Sequence, residues 1–372
     1  MDLFYELIQV ALGNRDVLSK TPSAAEWSGL YQNCKKQAVA GVAFTALDSL
    51  SRQEQKPPLD ILYQWLGYSE QIKRQNFIVN KHCVEITKLF AEAGFRTCVL
   101  KGQGNARMYK NPLSRSSGDI DLWILGHADL TDSADRVALR QKVDSFVHSR
   151  FPDIKGGKMH IEYPVFKDVA VEVHYIPSYM YTPRYDRRLQ AFFREKSEEQ
   201  FNNVITLEGA EGTCAVPTTE FNLVQQPSHL MSHFMGEGIG LRQLTDYYFI
   251  LTHSTSDERK DAFKTLKSFG LGKFVATIMY IMRRVFDMDE ELLLCEPNAA
   301  EGEFLLSEIL RGGNFGQYDE RNKHLPTVGH LKRGVENVKR NLRFLKHYPN
   351  EVLWAPVFKL WHWCWRKSKG YL

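Results

Sequence analysis

The stretch "NPLSRSSGDIDLWIL", residues 111–125, runs from a polar, turn-rich segment straight into an apolar one. The apolar part predicts a β-strand over 119–125 that begins with two acids, Asp119 and Asp121. Successive side chains of a strand point to opposite faces, so the two carboxylates share one face and the apolar side chains share the other. The sequence therefore predicts a buried strand with two negative charges on one side of its start.

These two aspartates carry like charges at close range. Two strand steps separate their α-carbons by about 6–7 Å. At an effective dielectric of about 20, the charges would repel each other by about 2–3 kcal/mol. A fold relieves this repulsion by exposing the face to water or by binding a divalent cation between the carboxylates. Mg²⁺ suits the second arrangement, because it takes one or two carboxylates together with waters and phosphate oxygens. The D-x-D spacing alone leaves both arrangements open.

The composition is that of a globular protein. The chain has 372 residues, enough for two or three packed units, and its net charge of +4 gives no support for a long nucleic acid as partner. The six cysteines form no C-x-x-C pair, as expected for reduced thiols of a cytoplasmic protein. The first residues are acidic and have helical spacing, and no run of 18 apolar residues occurs, so we expect neither a signal peptide nor a membrane span.

The hydrophobic pattern changes twice along the chain. Residues 1–93 have helical periodicity, with Ser23 as an N-cap, a linker at 51–60 and a long helix that ends at Gly94. Strand-like segments dominate 94–218, and helical periodicity returns over 219–372. We therefore predict an α+β fold, in which a small mixed β-sheet core is flanked by N-terminal and C-terminal helical regions with these boundaries.

The middle region contains several short elements. Residues 158–166 and 169–176 are two strands, and the short link between them favours an antiparallel hairpin. The other predicted elements are a strand at 95–102, a short helix at 103–110, the strand at 119–125, a helix at 133–150 and a final strand with an exit loop within 201–218.

A third acid lies in the second strand of the hairpin. In "VAVEVHYI", residues 169–176, the valines face one way, whereas Glu172 and His174 face the other. A carboxylate on an apolar strand needs a partner, because burial without one is costly. If this hairpin lies beside the 119–125 strand, Glu172 joins Asp119 and Asp121. Three converging carboxylates can hold two divalent cations, as in phosphoryl or nucleotidyl transfer.

Four ordered motifs carry a resemblance to a known group of enzymes. They are "VLKG" and "SRSSGDIDLWI" within 99–124, "EVHY" at 172–175 and "EGIGLRQLTDYYFIL" at 237–251. This order resembles the DNA polymerase beta-like nucleotidyltransferase superfamily and, more narrowly, its uncharacterised bacterial nucleotidyltransferase family. The resemblance covers roughly residues 65–320.

The resemblance implies roles for particular residues. It implies that Asp119, Asp121 and Glu172 are the metal-binding acids, with Glu172 helping to activate the incoming hydroxyl. Lys101 and Gly102 match the turn that holds nucleotide phosphates, although the superfamily has Gly-Ser at that turn. The implied cofactor is Mg²⁺ or Mn²⁺, and the implied co-substrate is an NTP such as ATP. The acceptor is unidentified, and a small molecule or a protein hydroxyl is favoured over a nucleic acid.

Two further residues near the acids have alternative interpretations. Arg115, four residues before Asp119, either contacts a phosphate with both guanidinium nitrogens or forms an ion pair with a local acid. His174 either has a functional role, in which it orients Glu172 or touches substrate, or is a hydrogen-bonded histidine between strands. His160, on the preceding strand, is a weaker candidate.

The C-terminal region offers further candidates, for which structural roles are favoured. His229 and His233 share a helix face and suit packing or hydrogen bonding better than a metal. Arg242 and Asp246 have the spacing of an ion pair, and a substrate contact by Arg242 is the alternative. The tryptophan-rich tail at 354–371 is more typical of a helix packed on its own domain than of a membrane-surface or partner-binding helix.

Taken together, these patterns predict a metal-dependent nucleotidyltransferase that moves a nucleoside monophosphate from an NTP to a hydroxyl acceptor. Two alternatives stay open. One is a degenerate module that binds a nucleotide or a partner without turnover, and the other is a phosphotransferase that uses the same acids.

Overall fold

The computed structural model describes residues 2–125, 133–322 and 338–371. Helices occupy most of these residues, and short strands lie between α5 and α10. The helices include α1 (Asp2–Leu12), α2 (Ala24–Lys36), α3 (Ala40–Phe44), α4 (Leu47–Arg52), α5 (Leu59–Glu92), α6 (Gly102–Ala106), α7 (Ser133–His148), α8 (Pro183–Glu195), α9 (Ser197–Asn202), α10 (Thr219–Gly236), α11 (Leu241–Thr252), α12 (Ser256–Ser268), α13 (Gly272–Phe286), α14 (Ala299–Gly312) and α15 (Pro349–Ser368). The strands are β1 (Arg96–Leu100), β2 (Ile120–Leu125), β3 (His160–Glu162), β4 (Val171–His174), β5 (Val204–Thr206) and β6 (Thr213–Ala215).

Strands β1 to β4 form one mixed sheet in the order β1-β2-β4-β3. Strand β2 pairs antiparallel with β1 and parallel with β4, and β3 pairs antiparallel with β4. The predicted hairpin is therefore present. The predicted α+β fold, a small mixed sheet with flanking helices, is confirmed.

One face of this sheet packs against the hydrophobic core. Ile120 and Leu122 of β2 and Val171 and Val173 of β4 are buried there, against apolar side chains of α5 and α7. The alternation along each strand consequently directs the intervening polar residues to the opposite face. The packing of the core thus decides which side of the sheet carries the acids.

The described residues group into two compact units that interleave along the chain. One unit contains 2–76, 105–116 and 233–322, and is built mainly from helices. The other contains the sheet and is formed by 77–104, 117–125, 133–232 and 338–371. The three regions assigned from the sequence are continuous segments, whereas these units are discontinuous. The boundaries of the three regions stay a prediction.

Local signals placed several helix ends correctly. Ser23 caps α2 and forms a reciprocal capping box with Glu26, which satisfies two otherwise unpaired backbone N–H groups. Helix α5 ends at Glu92, and Gly94 follows with a φ of +83°. Glycine adopts this left-handed conformation without the cost that a Cβ would impose, which explains why the helix stops there.

The structure differs from the sequence-based expectation in three places. Residues 201–218 were expected to hold one strand, but β5 and β6 form an antiparallel hairpin, with Gly209 at φ +75° in the intervening turn. Helix α6 has five residues and is shorter than the predicted two turns. Helices α8 and α9 were not predicted, although the proline at the first position of α8 is a helix-start signal.

The tail forms helix α15 and packs on the unit that contains the sheet. Glu351 accepts hydrogen bonds from the backbone N–H groups of Tyr181 and Thr182, and the ring of Phe358 stacks on Tyr179 at 5.0 Å. The tail thus packs on the chain itself, but on the unit with the sheet and not on the C-terminal region to which the sequence assigned it. The periodicity of 329–349 also predicts a helix, and residues 329–337 of it lie outside the described residues. None of the described helices is long and apolar enough to cross a membrane.

A buried ion pair organises the helical unit. Arg115 donates from Nε and Nη2 to the two carboxylate oxygens of Asp246, at 2.7 and 2.8 Å, and Tyr109 donates to the same carboxylate. Arg115 therefore forms an ion pair, but with an acid distant in sequence and not with the local acid that was expected. Its expected phosphate contact stays a prediction. Arg242, expected to pair with Asp246, donates to the backbone carbonyl of Ser116.

We expect Arg115→Ala to destabilise the helical unit by about 3–5 kcal/mol, because it leaves the buried carboxylate of Asp246 without its cation. The matched control is Arg52→Ala, which breaks an exposed ion pair with Asp48 and should cost less than about 1 kcal/mol. The midpoint of urea denaturation measures both effects. Equal shifts for the two variants would contradict the structural role assigned to Arg115.

Candidate metal and nucleotide site

The three acids predicted from the sequence lie together in the structure. Asp121 and Glu172 are directly paired residues of the parallel strands β2 and β4, and Asp119 immediately precedes β2. One ligand oxygen of each of these three residues lies within 4.8 Å of the others. The convergence follows from the strand register, since a shift of one residue would turn Glu172 toward the hydrophobic core.

Asp121 is the most buried of the three acids, with 7% of the residue exposed. Its Oδ2 lies 2.8 Å from Lys101 Nζ, and its Oδ1 lies 2.7 Å from His174 Nε2. Burial by itself would raise the pKa of Asp121, but the charges of Lys101 and His174 hold it well below its usual range. Asp121 is consequently ionised, with a cationic side chain beside each of its oxygens.

His174 is fully buried and bridges two of the acids. Besides its contact with Asp121, its Nε2 lies 3.3 Å from Glu172 Oε2. Burial alone would lower the pKa of His174, whereas the carboxylates of Asp121 and Glu172 raise it to about 9. The imidazole is therefore positively charged at neutral pH. Its contact with Glu172 fits both sequence-based interpretations, a histidine that orients Glu172 and a hydrogen-bonded histidine between strands.

Glu172 also contacts a second histidine. His160 of β3 is the cross-strand neighbour of His174, and its Nδ1 lies 3.1 Å from Glu172 Oε2. Burial opposes ionisation of Glu172, but a hydrogen bond from His174 and the charge of His160 lower its pKa. His160, Glu172 and His174 form a second group whose candidate ligand atoms lie within 4.8 Å of one another. His160 is thus closer to the acids than its weak sequence signal suggested.

Lys101 reaches Asp121 from an unusual backbone conformation. Lys101 follows β1 with a backbone φ of +53°, which residues other than glycine rarely adopt. Gly102 follows with a φ of +34°. Such strain persists where the surroundings hold it, and it is common at functional sites. The left-handed turn places the ammonium group of Lys101 next to Asp121 and not along the line of the strand.

Helix α10 supplies a contact that the sequence did not predict. Lys101 Nζ lies 2.9 Å from His229 Nε2. The contact is consistent with the packing or hydrogen-bonding role predicted for His229. No local pattern could have indicated its partner, because the two residues are far apart in sequence. His233, one turn later, lies 2.7 Å from Glu237. The two histidines therefore have different partners, which does not support a shared metal.

The donor set suits a divalent cation. Asp119, Asp121 and Glu172 offer carboxylate oxygens, the ligands that Mg²⁺ and Mn²⁺ take in proteins, and Asp119 is exposed. The group with two histidines is the weaker candidate, because a protonated His174 has no free lone pair for a metal. The residues present thus fit a metal held by carboxylates. The cationic side chains of Lys101 and His174 contact the most buried of these carboxylates, Asp121.

The comparisons with known proteins agree with this chemistry. A search of curated proteins and a search of solved structures found no match. A family model described as "Uncharacterised nucleotidyltransferase" matches residues 23–287, which include the three acids, Lys101 and the "GIGLRQ" segment. Because the match covers most of the chain, the protein belongs to this uncharacterised nucleotidyltransferase family.

Proposed function

We propose that the protein is a metal-dependent nucleotidyltransferase of the DNA polymerase beta-like type, which moves a nucleoside monophosphate from an NTP to a hydroxyl acceptor. The observation that carries the proposal is the convergence of Asp119, Asp121 and Glu172 on one face of the sheet. Family membership supports nucleotidyl transfer in general, and the three carboxylates support dependence on Mg²⁺ or Mn²⁺.

In this proposal the residues share the work of the site, and Glu172 has two tasks. Asp119, Asp121 and Glu172 hold the cation, which when bound offsets the charge of the triphosphate and polarises its oxygens. Glu172 is ionised at neutral pH, so it can accept the proton of the attacking hydroxyl. His174 fixes the position of that carboxylate, and Lys101 offers a positive charge to the phosphates.

The proposed reaction is an in-line displacement at the α-phosphorus. The acceptor oxygen forms a bond to the α-phosphorus, and the bond from that phosphorus to the oxygen shared with the β-phosphate breaks. Pyrophosphate leaves with the bonding electrons, and the hydroxyl proton passes to Glu172. The chain supplies position and charge in this scheme, and no covalent intermediate with the protein is needed.

One observation favours a second candidate, a module that binds a nucleotide without turnover. Both oxygens of Asp121 already have cationic neighbours in the chain, Lys101 and His174. A carboxylate balanced in this way needs no metal for its stability. In the active enzyme, by contrast, Lys101 would have to exchange Asp121 for a phosphate when the NTP binds.

Asp119→Asn should lower nucleotidyl transfer by about 10³-fold or more, because a metal ligand contributes several kcal/mol to stabilising the transition state. Asp119 tests the site better than Asp121, whose loss would also leave Lys101 and His174 without their buried counter-charge. The matched control is Asp168→Asn, an exposed aspartate that contacts His82, and it should keep full activity. Transfer by Asp119→Asn at the rate of the original protein would contradict the metal assignment.

Metal binding is also expected without any substrate. Mg²⁺ or Mn²⁺ at about 100 times its Kd should stabilise the folded protein by about 2.7 kcal/mol, which is measurable as a rise in Tm. Asp119→Asn should show a much smaller rise, and Asp168→Asn should respond like the original protein. An equal rise for all three proteins would place the metal elsewhere.

ATP labelled at the α- or the γ-phosphate separates the candidate functions. We expect label from the α-phosphate to appear on the acceptor and pyrophosphate to be released. Transfer of the γ-label would indicate a phosphotransferase. Calorimetric binding of Mg·ATP without release of pyrophosphate, in the presence of a broad set of hydroxyl compounds, would favour the binding module.

A further inference from the structure

A cavity of about 580 Å³ lies in the unit that contains the sheet. Its lining includes Trp123 and Leu125 of β2, and both side chains point to the same face of the sheet as Asp119 and Asp121. In the strand register Trp123 is paired with His174, one of the residues that contact Asp121. The cavity therefore begins one step along the strand from the acids.

The floor of this cavity is apolar and aromatic. Trp123 is 4% exposed and is held by Phe201, whose ring centroid lies 4.8 Å away, and by Phe221 at 5.7 Å. Phe193 of α8 and Ile176, two residues after β4, complete this part of the lining. A floor of this kind favours an organic body over a small hydrated ion, because it offers burial of apolar surface.

Four cationic side chains surround the floor, and two of them are already used by the protein. Arg140 lies 4.1 Å from the ring centroid of Tyr175 and donates to the carbonyl of Gly157 at 2.6 Å. Lys158 is 3.1 Å from Asp186. These two residues are held by the fold, and the carboxylates of Asp144 and Asp186 offset their charges.

The other two cations, Arg136 and Arg194, make no ion pair and donate no side-chain hydrogen bond to the part of the chain that the structure describes. Glu198 is the one acid among the described lining residues, and it pairs with Arg96 at 2.8 Å. Burial and the neighbouring charge of Arg136 both lower the pKa of Arg194. Two adjacent guanidinium groups without a counter-charge favour an anionic ligand.

The strand register also defines a direction along this face. Leu100 is paired with Asp121 in the antiparallel pair β1–β2, so Lys101 lies beyond Asp121 toward the start of β2. The cavity lies on the other side, toward the end of β2. In an in-line displacement the leaving pyrophosphate and the attacking hydroxyl are on opposite sides of the α-phosphorus. Lys101 then marks the side of the pyrophosphate, and the cavity marks the side of the acceptor.

We propose that this cavity binds the acceptor, and that the acceptor is an anionic hydroxyl compound whose phosphate or carboxylate contacts Arg136 and Arg194 while its apolar body lies on Trp123 and Phe193. The anion-binding part of this assignment depends only on the cavity. Its role as the acceptor site rests on the proposed nucleotidyl transfer.

Calorimetric titration of the full-length protein, in EDTA and without nucleotide, tests the cavity by itself. The probes are phenyl phosphate, benzoate and neutral phenol. We expect at least one anionic probe to bind about tenfold or more tightly than phenol, since charge-assisted hydrogen bonds to two arginines are available. Comparison of phenyl phosphate with benzoate tells which anionic group is preferred. Binding of phenol as tight as that of both anions, or no binding of either anion, would overturn the proposal.

Two double variants, one in the cavity lining and one outside it, test whether the anionic probe binds in the cavity. Arg136→Gln with Arg194→Gln should raise the Kd of the bound anion about tenfold or more. The control is Lys142→Gln with Arg184→Gln, which removes two exposed cations from the same helices, α7 and α8, outside the lining. It should leave the Kd unchanged. Equal effects of the two double variants would show that the anion binds elsewhere and would overturn the proposal.

A competition experiment with a nucleotide tests whether the cavity binds the acceptor or the NTP. A saturating, non-hydrolysable ATP analogue with Mg²⁺ should leave the anionic probe bound, since the two ligands occupy different places. Displacement of the probe would assign the cavity to the nucleotide and overturn the acceptor role. Retained probe binding without any nucleotidyl transfer would refute the proposed function alone. Retained transfer without probe binding would refute the cavity assignment alone.

Discussion

The negative charge of Asp121 is the feature on which the rest of this site depends. A buried carboxylate without a counter-charge costs several kcal/mol, and the protein meets this requirement with Lys101 and His174, one beside each oxygen. Each cation has a second partner in turn, since His174 also contacts Glu172 and Lys101 contacts His229. Strand ends from β1, β2 and β4 and helix α10 are therefore connected through a single carboxylate.

This network gives the two cations different roles. His174 is fully buried and contacts two acids, so its charge is a fixed part of the sheet. Lys101 has a flexible side chain in a left-handed turn and is partly exposed, so its ammonium group can turn from the carboxylate to another anion nearby. A phosphate that reaches this face thus finds one cation that can exchange partners and one that cannot. This difference is what the proposed exchange of Asp121 for a phosphate by Lys101 requires.

The sequence was informative where function depends on local periodicity. The alternation in "GDIDLWIL" and "VEVH" placed Asp119, Asp121 and Glu172 on the polar face, and their pairing across β2 and β4 follows from burial of the intervening apolar residues. The contacts that the sequence did not reveal join distant residues. Arg115 meets Asp246 across 131 positions, and Lys101 meets His229 across 128. Nothing local distinguishes these partners from the many other charged residues of the chain.

The same limit explains why the cavity was not predicted. Its wall is provided by helices α7 and α8, and α8 was not predicted because its many charged residues obscure the few apolar positions that fix it to the sheet. Trp123 is buried in the structure and forms part of the cavity floor. Strand β2 has acids at its start and Trp123, part of the cavity floor, two residues after Asp121. One face of the strand can therefore position a phosphate and an acceptor in line. The spacing of β2 residues therefore determines how closely a phosphate at the acids and a compound in the cavity can approach each other.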